Sequence, residues 1–434
     1  RKSTRRCLRS VKKTSTDLVC PNQQTARYQT GLMNMTPRAT SEISSKIDAI
    51  VDEISDELIE IRRDLHRHPE LGFEEVRTSG QIQKYLDNLG IRYQTGYGKT
   101  GIAALINPKA AGRLVGIRGD IDALPITEES ELPFASQNNG VMHACGHDAH
   151  TAIALGVATV LSRLSPDEAG AALVLFQPAE EGLGGARAML ADGVFEHTKP
   201  DVMLGYHNWP LLAGGTVGWH PEVSFASSDP FDVTITGMSG HGAHPHLSVD
   251  PIVAASQFIA QLQSIVSREV APLSSAVVTI GKIEGGTARN QIPDTVTLQG
   301  AIRTHSEDIR QATKDGIKRI AEGVATASRT KIDVAFLQGV GVVKSDPEVL
   351  EKVVGCARDV LGEDNVICLP QGSMGSEDFA EFSSRIPSAH LRIGSKAKDR
   401  KTMLHRSNFD LDETCIATAV RVITNAVVRL NGAQ

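Results

Sequence analysis

The sequence predicts an α/β protein in which a domain with a central, mostly parallel sheet flanked by helices is interrupted by a smaller α+β domain. The chain has 434 residues, which is too long for one compact core and favours two domains. Short apolar runs alternate with amphipathic helical patterns along most of the chain. Between residues 224 and 337 the order is strand, helix, strand, strand, helix, strand, which is that of a ferredoxin-like, split βαβ unit.

The larger domain is predicted in two segments, residues 48–223 and 338–434. Apolar residues at helical spacing from Ile47 to Leu65 predict a helix that ends near His66. Another helix fits residues 78–89, and short apolar runs predict strands at residues 102–106, 114–117, 171–176 and 202–205. After the insertion we expect helices at residues 347–361 and 411–430, a helix opened by residues 375–379, and a strand at residues 390–393.

The inserted domain is predicted to contain strands near residues 229–237, 275–280, 294–303 and 332–336, with helices at residues 250–270 and 307–327. Two of its loops are rich in glycine, G-H-G-A-H-P-H at residues 240–246 and G-G-T-A-R-N-Q-I-P at residues 285–293. The first loop carries three histidines but few carboxylates. We therefore interpret it as a substrate-facing loop, with plain surface histidines as the alternative.

Composition excludes several classes of function. Hydrophobic residues make up 41% and charged residues 22% of the chain, as in an ordinary soluble globular protein. The net charge of −6 gives no reason to expect nucleic acid or an anionic membrane as a partner. No apolar run is long enough to cross a bilayer. The six cysteines follow no framework spacing, so reduced thiols are expected in preference to a disulfide scaffold.

The first forty residues differ from the rest of the chain. They carry nine Lys or Arg residues against one acidic residue, Asp17, and are rich in Ser and Thr. This composition is typical of organelle transit peptides, so we expect residues 1–47 to be a basic, disordered leader directing the protein to a plastid or mitochondrion. The alternatives are a basic tail of a cytoplasmic protein, or translated sequence upstream of a start at Met33 or Met35.

The segment M-H-A-C-G-H-D-A-H, residues 142–150, is the densest group of metal-binding residue types in the chain. Cys145 and His147 are two residues apart, and Gly146 between them permits the turn that would let both contact one metal ion. Either residue alone would more often be a buried thiol or a surface histidine. Three histidines in nine residues, out of fourteen in the chain, favour a metal site.

Metal-capable residues also recur where predicted strands end. Asp120 and Asp122 follow one strand, the adjacent Glu180 and Glu181 follow another, and His207 follows a third. Ligands of open α/β sheets bind outside the carboxyl ends of the strands. Each pair alone could be a solvated turn, but their recurrence at strand ends indicates one shared site.

The motifs taken together resemble the aminoacylase/carboxypeptidase superfamily of dinuclear metallohydrolases. The most similar branch is that of the N-acyl-amino-acid amidohydrolases, which includes hippurate hydrolases and plant indole-3-acetyl-amino-acid hydrolases. The resemblance extends from about residue 48 to residue 432. The matching segments, in the family's order, are D-L-H-R-H-P-E-L-G-F-E-E, R-G-D-I-D-A-L-P, H-A-C-G-H-D-A-H-T, F-Q-P-A-E-E-G, G-H-G-A-H-P-H, N-Q-I-P-D, G-S-E-D-F and L-H-R-S-N-F.

The resemblance implies five metal ligands, which are Cys145, His147, Glu181, His207 and His405. It further implies roles for five other residues: Glu180 as general base, Asp122 as the aspartate that orients a ligand, His241 as the histidine offered to the substrate carbonyl, and Asn290 and Arg303 near the substrate. Many relatives outside this branch have His-x-Asp in place of Asp120-Ile-Asp122, and a bridging aspartate in place of Cys145.

The implied reaction is hydrolysis of the amide bond of an N-acyl amino acid by a metal-activated water. Two divalent ions would lower the pKa of the water, and Glu180 would take its proton and pass it to the departing amine. A second ion or His241 would face the oxyanion. A thiolate ligand suits Zn²⁺ or a softer ion, whereas the N and O ligands admit Mn²⁺, with Co²⁺ as a third candidate. The family also implies a homodimer formed through the inserted domain.

Two other functions use the same residues. A dipeptidase, or a deacetylase of an amino-acid precursor, would share the metal machinery but bind another substrate. A non-catalytic metal-binding homologue is the third alternative, which the presence of Glu180 and all five implied ligands disfavours. The acyl preference, whether indole-3-acetyl, benzoyl or acetyl, depends on pocket residues that one sequence does not identify.

Overall fold

The computed structural model describes residues 37–397 and 402–432. Its helices are α1 (Pro37–Arg67), α2 (Val76–Asn88), α3 (His147–Arg163), α4 (Pro166–Ala169), α5 (Gly185–Ala191), α6 (Pro251–Ser264), α7 (Glu307–Ser328), α8 (Pro347–Leu361), α9 (Ala380–Ser383) and α10 (Thr414–Asn431). A π-helical turn, Ile265–Glu269, extends α6, and two 3₁₀ turns occupy Pro245–Leu247 and Glu363–Asn365. No helix in these described ranges is both long and apolar enough to span a membrane.

The strands form one large sheet, one smaller sheet and two short ladders. In chain order they are β1 (Arg92–Tyr97), β2 (Gly101–Ile106), β3 (Leu114–Asp120), β4 (Ala171–Gln177), β5 (Val202–Ala213), β6 (Val217–Trp219), β7 (Val223–Phe225), β8 (Ser227–Thr236), β9 (Gly240–His241), β10 (Ala276–Gly285), β11 (Gln291–Ile292), β12 (Thr295–Thr304), β13 (Lys331–Phe336), β14 (Val343–Lys344), β15 (Val366–Cys368) and β16 (Ser388–Lys396).

The large sheet has the order β1-β2-β4-β3-β5-β16-β6-β15. The pairs β4/β3, β3/β5, β5/β16 and β6/β15 are parallel, and the remaining pairs are antiparallel. Central strands buried on both faces are expected to be apolar throughout, and β4 is buried along its whole length. The predicted α/β class with a mostly parallel central sheet is therefore confirmed.

The two faces of the large sheet pack against different helices. Alternate residues of β4, such as Val174, join the core formed with α1, α3, α8 and α10. The intervening residues, such as Leu175, join a smaller core with α5 and α9. On this second face the side chains change from apolar to polar toward the carboxyl ends of the strands. The buried polar residues there are Arg118 and Asp120 on β3, Gln177 on β4, His207 on β5, and His390 and Arg392 on β16.

The smaller sheet has the antiparallel order β10-β12-β8-β13. Its core is separate from the others and includes Phe231, Phe258 and Ile317, contributed by β8, α6 and α7. Chain order is therefore β8, α6, β10, β12, α7, β13, as the ferredoxin-like pattern requires. The exact boundaries at residues 224 and 337 stay a prediction.

Three local predictions differ from the structure. Helix α1 begins at Pro37 and Ile43 is buried in the core, so the leader predicted over residues 1–47 is wrong for residues 37–47; residues 1–36 lie outside the described residues. Strand β5 continues beyond His207 to Ala213 beside β16, with an irregularity in the pairing after Trp209, so His207 lies within a strand and not after one. The helix expected to open at residues 375–379 starts only at Ala380, because Glu377 and Asp378 bind buried Arg118.

Candidate metal centre and active site

The turn between Cys145 and His147 is made by Gly146, which has a φ of 86° and a left-handed conformation. A β-carbon at this position would lie 2.4 Å from Nδ2 of Asn208, so glycine is required by both backbone and space. Helix α3 begins at His147 directly after the turn. The turn thus brings the side chains of residues 145 and 147 to the same place, as the sequence predicts.

Cys145, His147 and His207 form the first group of donor atoms, which all lie within 4.8 Å of one another. Sγ of Cys145 is 3.4 Å from Nε2 of His207. Nδ1 of His207 donates to the carbonyl of Asn208 at 2.7 Å, so its Nε2 carries the lone pair. Nε2 of His147 is buried and makes no hydrogen bond to the described residues. The unpartnered Nε2 of His147, together with Nε2 of His207 beside the Cys145 thiol, fits a metal ion.

Cys145, Glu181 and His405 form a second group of three donor atoms, which also lie within 4.8 Å of one another. Oε1 of Glu181 is 3.1 Å from Nε2 of His405 and 3.9 Å from Nε2 of His147. His405 has a positive φ of 62°, and its N–H donates to the carbonyl of Ala144, which holds this residue beside the Cys145 turn. The two groups share Cys145. Together they contain the five residues that the resemblance assigns to the metals, and they fit two ions that share one thiolate.

Glu180 comes directly before Glu181 in the sequence and is almost fully buried, with 9% of its surface exposed. One of its carboxylate oxygens accepts the N–H of Asp378 at 3.3 Å. Burial raises the pKa of Glu180 well above its usual value, and the neighbouring carboxylates of Glu377, Glu181 and Asp378 raise it further. A carboxylate with a raised pKa accepts and holds a proton more readily, which suits a general base.

Arg118 lies beneath this carboxylate cluster and is completely buried. Its guanidinium is 2.6 Å from Asp120, 2.9 Å from Glu377 and 2.9 Å from Asp378, and it donates to the side-chain oxygen of Gln177 at 2.8 Å. Burial alone would lower the pKa of Arg118, but these carboxylates raise it well above its usual value. Burial and Glu377 also raise the pKa of Asp378 to about 7, against the charge of Arg118.

Asp120 is engaged on both carboxylate oxygens. Oδ2 accepts from Arg118, and Oδ1 accepts from Nδ1 of His150 at 2.6 Å. Nε2 of His150 in turn accepts the N–H of Asn208 at 2.8 Å. Asp120 and His150 therefore lie in a satisfied hydrogen-bond chain behind the donor groups. Asp122 instead supports them directly, through His147 and the backbone of Glu181.

The predicted substrate-binding residues lie on the inserted domain. His241 on β9 pairs with Gln291 on β11, and the N–H of Gly242 donates to the carbonyl of Asn290, so His241 and Asn290 are brought close together. Both side chains are exposed. Arg303 lies on β12 between Ser228 and Val277 and is partly buried. Among the described residues, no hydrogen bond, ion pair or ring contact joins these three to the donor groups, and their roles stay predictions.

Comparison with known proteins decides the family. The model of peptidase family M20/M25/M40 matches residues 116–429, which include all five residues of the two donor groups. The chain belongs to this family.

Relatives within the M20/M25/M40 family cover most of the chain. The N-acetyl-L-cysteine deacetylase of Bacillus subtilis (strain 168) is 40% identical over 374 residues, 86% of this chain and 88% of that protein. The hippurate hydrolase of Campylobacter jejuni is 36% identical over 360 residues, 83% of this chain and 93% of that protein. A crystal structure from Bacillus subtilis, described as a dinuclear metal binding peptidase from the M20 family, superposes with a TM-score of 0.76 at 33% identity, covering 88% and 100% of the chains. The protein is accordingly a hydrolase that acts on amide bonds.

Sequence reasoning missed several residues of this M20/M25/M40 site. Arg118 belongs to the R-G-D-I-D motif, but carboxylates are the more familiar metal ligands, so the motif predicts a role for Asp120 and Asp122 and none for Arg118. Glu377 and Asp378 belong to the G-S-E-D-F segment, which predicts a helix start and carries part of the resemblance but gives no role to these two residues. His150 and Asn208 carried a signal, since each lies within three residues of an expected ligand. Their roles depend on contacts between strands distant in sequence.

Proposed function

We propose that the protein is a metal-dependent amidohydrolase that cleaves the amide bond of N-acyl amino acids. The observation that carries this proposal is the pair of donor groups that share Cys145, with the buried carboxylate of Glu180 directly beside them. The matching relatives hydrolyse acyl groups from amino acids, as their names state, which supports the same reaction here.

In this proposal Cys145, His147 and His207 would hold one divalent ion, and Cys145, Glu181 and His405 would hold the other. When bound, the ions supply a water of lowered pKa and polarise the amide carbonyl. Glu180 accepts a proton from the water as it attacks the carbonyl carbon, and later donates that proton to the departing amine. Asp378 orients the Glu180 carboxylate through its backbone N–H. His241 donates a hydrogen bond to the carbonyl oxygen as negative charge develops there.

The metal is proposed to be Mn²⁺ or Zn²⁺, with Co²⁺ as a further candidate. The Cys145 thiolate favours Zn²⁺ or a softer ion, whereas imidazole and carboxylate donors also accommodate Mn²⁺. For the substrate, acetyl, benzoyl and indole-3-acetyl amino acids are the three acyl classes to compare. The second candidate function is deacetylation of an amino-acid precursor, which the N-acetyldiaminopimelate deacetylase of Listeria innocua, 37% identical over 369 residues, favours.

The test is hydrolysis of N-acetyl-methionine, hippurate, indole-3-acetyl-alanine and a dipeptide by protein stripped of metal and then restored with each ion. Glu180→Gln is assayed alongside, with Glu322→Gln on the exposed face of α7 as the control. We expect activity to return with metal and to fall by on the order of 100-fold or more in Glu180→Gln only. Cleavage of the dipeptide alone, or full activity of Glu180→Gln, would contradict the proposal.

We further propose that the inserted domain forms a homodimer and that His241 acts in the partner's active site. Support comes from the exposure of His241 and from exposed apolar side chains on the same domain: Ile252, Val253, Leu273, Val277 and Ile283. The test mixes His241→Ala with Glu180→Gln, each inactive alone, under conditions that exchange subunits. In an equal mixture half of the dimers are mixed and one of their two sites is complete, so recovery of up to about one quarter of the activity is expected. A monomer by sedimentation, or no recovery, would disprove action in trans.

A further inference from the structure

Arg392 is, with Arg62 and Arg118, one of three completely buried arginines among the described residues, and it lies on β16 directly beside His207 of β5. Paired residues of neighbouring parallel strands point to the same face, so Arg392 shares the face that carries the donor groups. Its guanidinium lies between two aromatic rings, 4.1 Å from the centre of Trp209 and 3.6 Å from that of Phe225. The two rings hold the guanidinium plane in one orientation.

This guanidinium lacks an anionic partner among the described residues. Its one hydrogen bond goes from Nη2 to the carbonyl of Ser224 at 3.0 Å, while Nε and Nη1 are buried without an acceptor. Two neighbours are equally unsatisfied, namely the hydroxyl of Ser224 and both ring nitrogens of His390. Buried polar groups are normally hydrogen-bonded, and a buried charge without a counter-charge is costly. Such a cluster of unused groups indicates a ligand.

Comparison with Arg118 shows what the surroundings of Arg392 lack, which is a paired carboxylate. Both arginines are fully buried, but Arg118 contacts three carboxylates, Asp120, Glu377 and Asp378. The pKa of Arg118 is raised well above its usual value, whereas burial lowers the pKa of Arg392 to about 9. Arg118 therefore completes a network of ion pairs, whereas Arg392 forms no ion pair with a carboxylate of the described residues, and the charges of Glu377 and Cys145 raise its pKa by less than burial lowers it.

We propose that Arg392 binds the free carboxylate of the amino-acid half of the substrate. The inference rests on the proposed amidohydrolase function and narrows its substrate class to acyl amino acids whose carboxylate is unblocked. A guanidinium has five N–H donors, of which the described contacts use one, so donors remain for both carboxylate oxygens. The position beside His207 places this subsite next to the proposed metals. Trp209 is the more exposed of the two rings, so a ligand that reaches the guanidinium changes the surroundings of this indole.

A carboxylate could also belong to the acyl half of a substrate, and three compounds separate the cases. N-acetyl-methionine has its carboxylate on the amino-acid side, N-acetyl-methioninamide has none, and N-succinyl-methioninamide has one on the acyl side. We expect the holoenzyme to prefer N-acetyl-methionine over the amide by on the order of 10- to 100-fold in kcat/KM, as for a charged hydrogen bond. In Arg392→Gln this preference should fall to less than about threefold, and Arg392→Lys, which keeps the charge, should retain part of it.

A second readout follows binding and not turnover. The chain has two tryptophans, Trp209 on the guanidinium and Trp219 opposite Leu391 on the adjoining strand, so intrinsic fluorescence reports this region. N-acetyl-methionine should change the fluorescence of metal-loaded Glu180→Gln, and N-acetyl-methioninamide should need at least about tenfold higher concentration. In the double variant that carries both Glu180→Gln and Arg392→Gln, the two compounds should change the fluorescence at similar concentrations. Arg319→Gln, at an exposed arginine of α7, is the matched control and should leave both readouts unchanged.

The outcomes separate this inference from the proposed function. If the holoenzyme cleaves neither these three compounds nor any of the other acyl amino acids, the proposed function is wrong. If it cleaves N-acetyl-methionine and its amide equally well, the amidohydrolase stands and the role of Arg392 is wrong. A preference for the succinyl amide that disappears in Arg392→Gln would show that Arg392 binds the acyl side, and would overturn the assignment to the amino-acid carboxylate.

Discussion

Asp122 holds the ring of His147 in place, with Oδ1 of the carboxylate 3.1 Å from Nδ1 of the imidazole. The other oxygen, Oδ2, accepts the backbone N–H of Glu181 at 3.0 Å. One carboxylate therefore fixes the tautomer of a residue in the first donor group and the position of a residue in the second. Histidines that bind metals commonly donate their other nitrogen to a carboxylate, which sets the ring orientation and raises the basicity of the ligand.

Asp122→Asn should weaken metal binding without unfolding the protein. An amide can satisfy one of the two donors, His147 or Glu181, but its NH₂ group must then face the other N–H. We expect metal affinity to fall by about 10- to 100-fold, as for other supporting carboxylates. Calorimetric titration of metal-stripped protein with Zn²⁺ and Mn²⁺ measures the change. Asp333→Asn, at an exposed aspartate of β13, is the control; equal affinities in the two variants would contradict the role of Asp122.

Cys145→Ala should affect both metal ions, because Cys145 belongs to both donor groups. We expect the bound metal to fall from two ions per chain to at most one, with affinity reduced by more than the roughly 100-fold limit for supporting residues. Elemental analysis after removal of unbound metal gives the stoichiometry. Cys356→Ala, a buried free thiol on α8, controls for loss of a thiol elsewhere. Two tightly bound ions in Cys145→Ala would show that the thiolate is not shared.

Gly146→Ala should cost more stability than an alanine at another left-handed glycine. Gly90 has a φ of 67° and open space around its missing side chain, so Gly90→Ala isolates the backbone cost, about 1–2 kcal/mol. At Gly146 a β-carbon would in addition meet the side chain of Asn208. We expect a total loss of about 2–4 kcal/mol and weaker metal binding. Chemical denaturation of both variants tests this, and equal losses would mean that Asn208 simply moves aside.

Asp229 should make the stability of the inserted domain depend on pH. Its buried carboxylate contacts Arg310 at 2.6 Å and Lys314 at 2.7 Å. Burial alone would raise the pKa of Asp229, but these partners outweigh it and lower the pKa. A carboxyl group with a lowered pKa in the folded state stabilises that state above its unfolded pKa of about 4, and the contribution is lost as the pH falls through the folded value.

Asp229→Asn should therefore lower the free energy of unfolding by about 3 kcal/mol at pH 7, since it leaves two cations without their counter-charge. The difference from the unaltered protein should shrink below about pH 4. Thermal unfolding between pH 3 and pH 8 measures it, with Asp333→Asn again as the control because that carboxylate is exposed. A difference that stays constant with pH would indicate that packing, and not charge, is lost.

Much of the secondary structure follows from local pattern. Helix α8 spans Pro347–Leu361 as predicted, because Asp346 caps it, proline occupies its first turn and Gly362 follows its end. The segments 102–106 and 171–176 are strands within one residue of their predicted bounds. The predicted bounds were less accurate for strands whose ends depend on pairing with a neighbouring strand. Strand β5 runs on to Ala213 only because β16 continues beside it.

The pattern of residues along the chain was sufficient to predict the α/β class and the inserted βαββαβ order, because periodicity and turn glycines are local properties. The set of ten residues proposed for chemistry came from the resemblance that the short motifs carry, and their roles stay predictions. Tertiary structure alone decided how those residues are used. The sharing of Cys145 between two donor groups, the pairing of Arg118 with Asp120, Glu377 and Asp378, and the lack of any such partner for Arg392 depend on strands that are adjacent in the sheet but distant in sequence. Charges are neutralised through space, so no local pattern shows which buried arginine forms ion pairs with carboxylates and which does not.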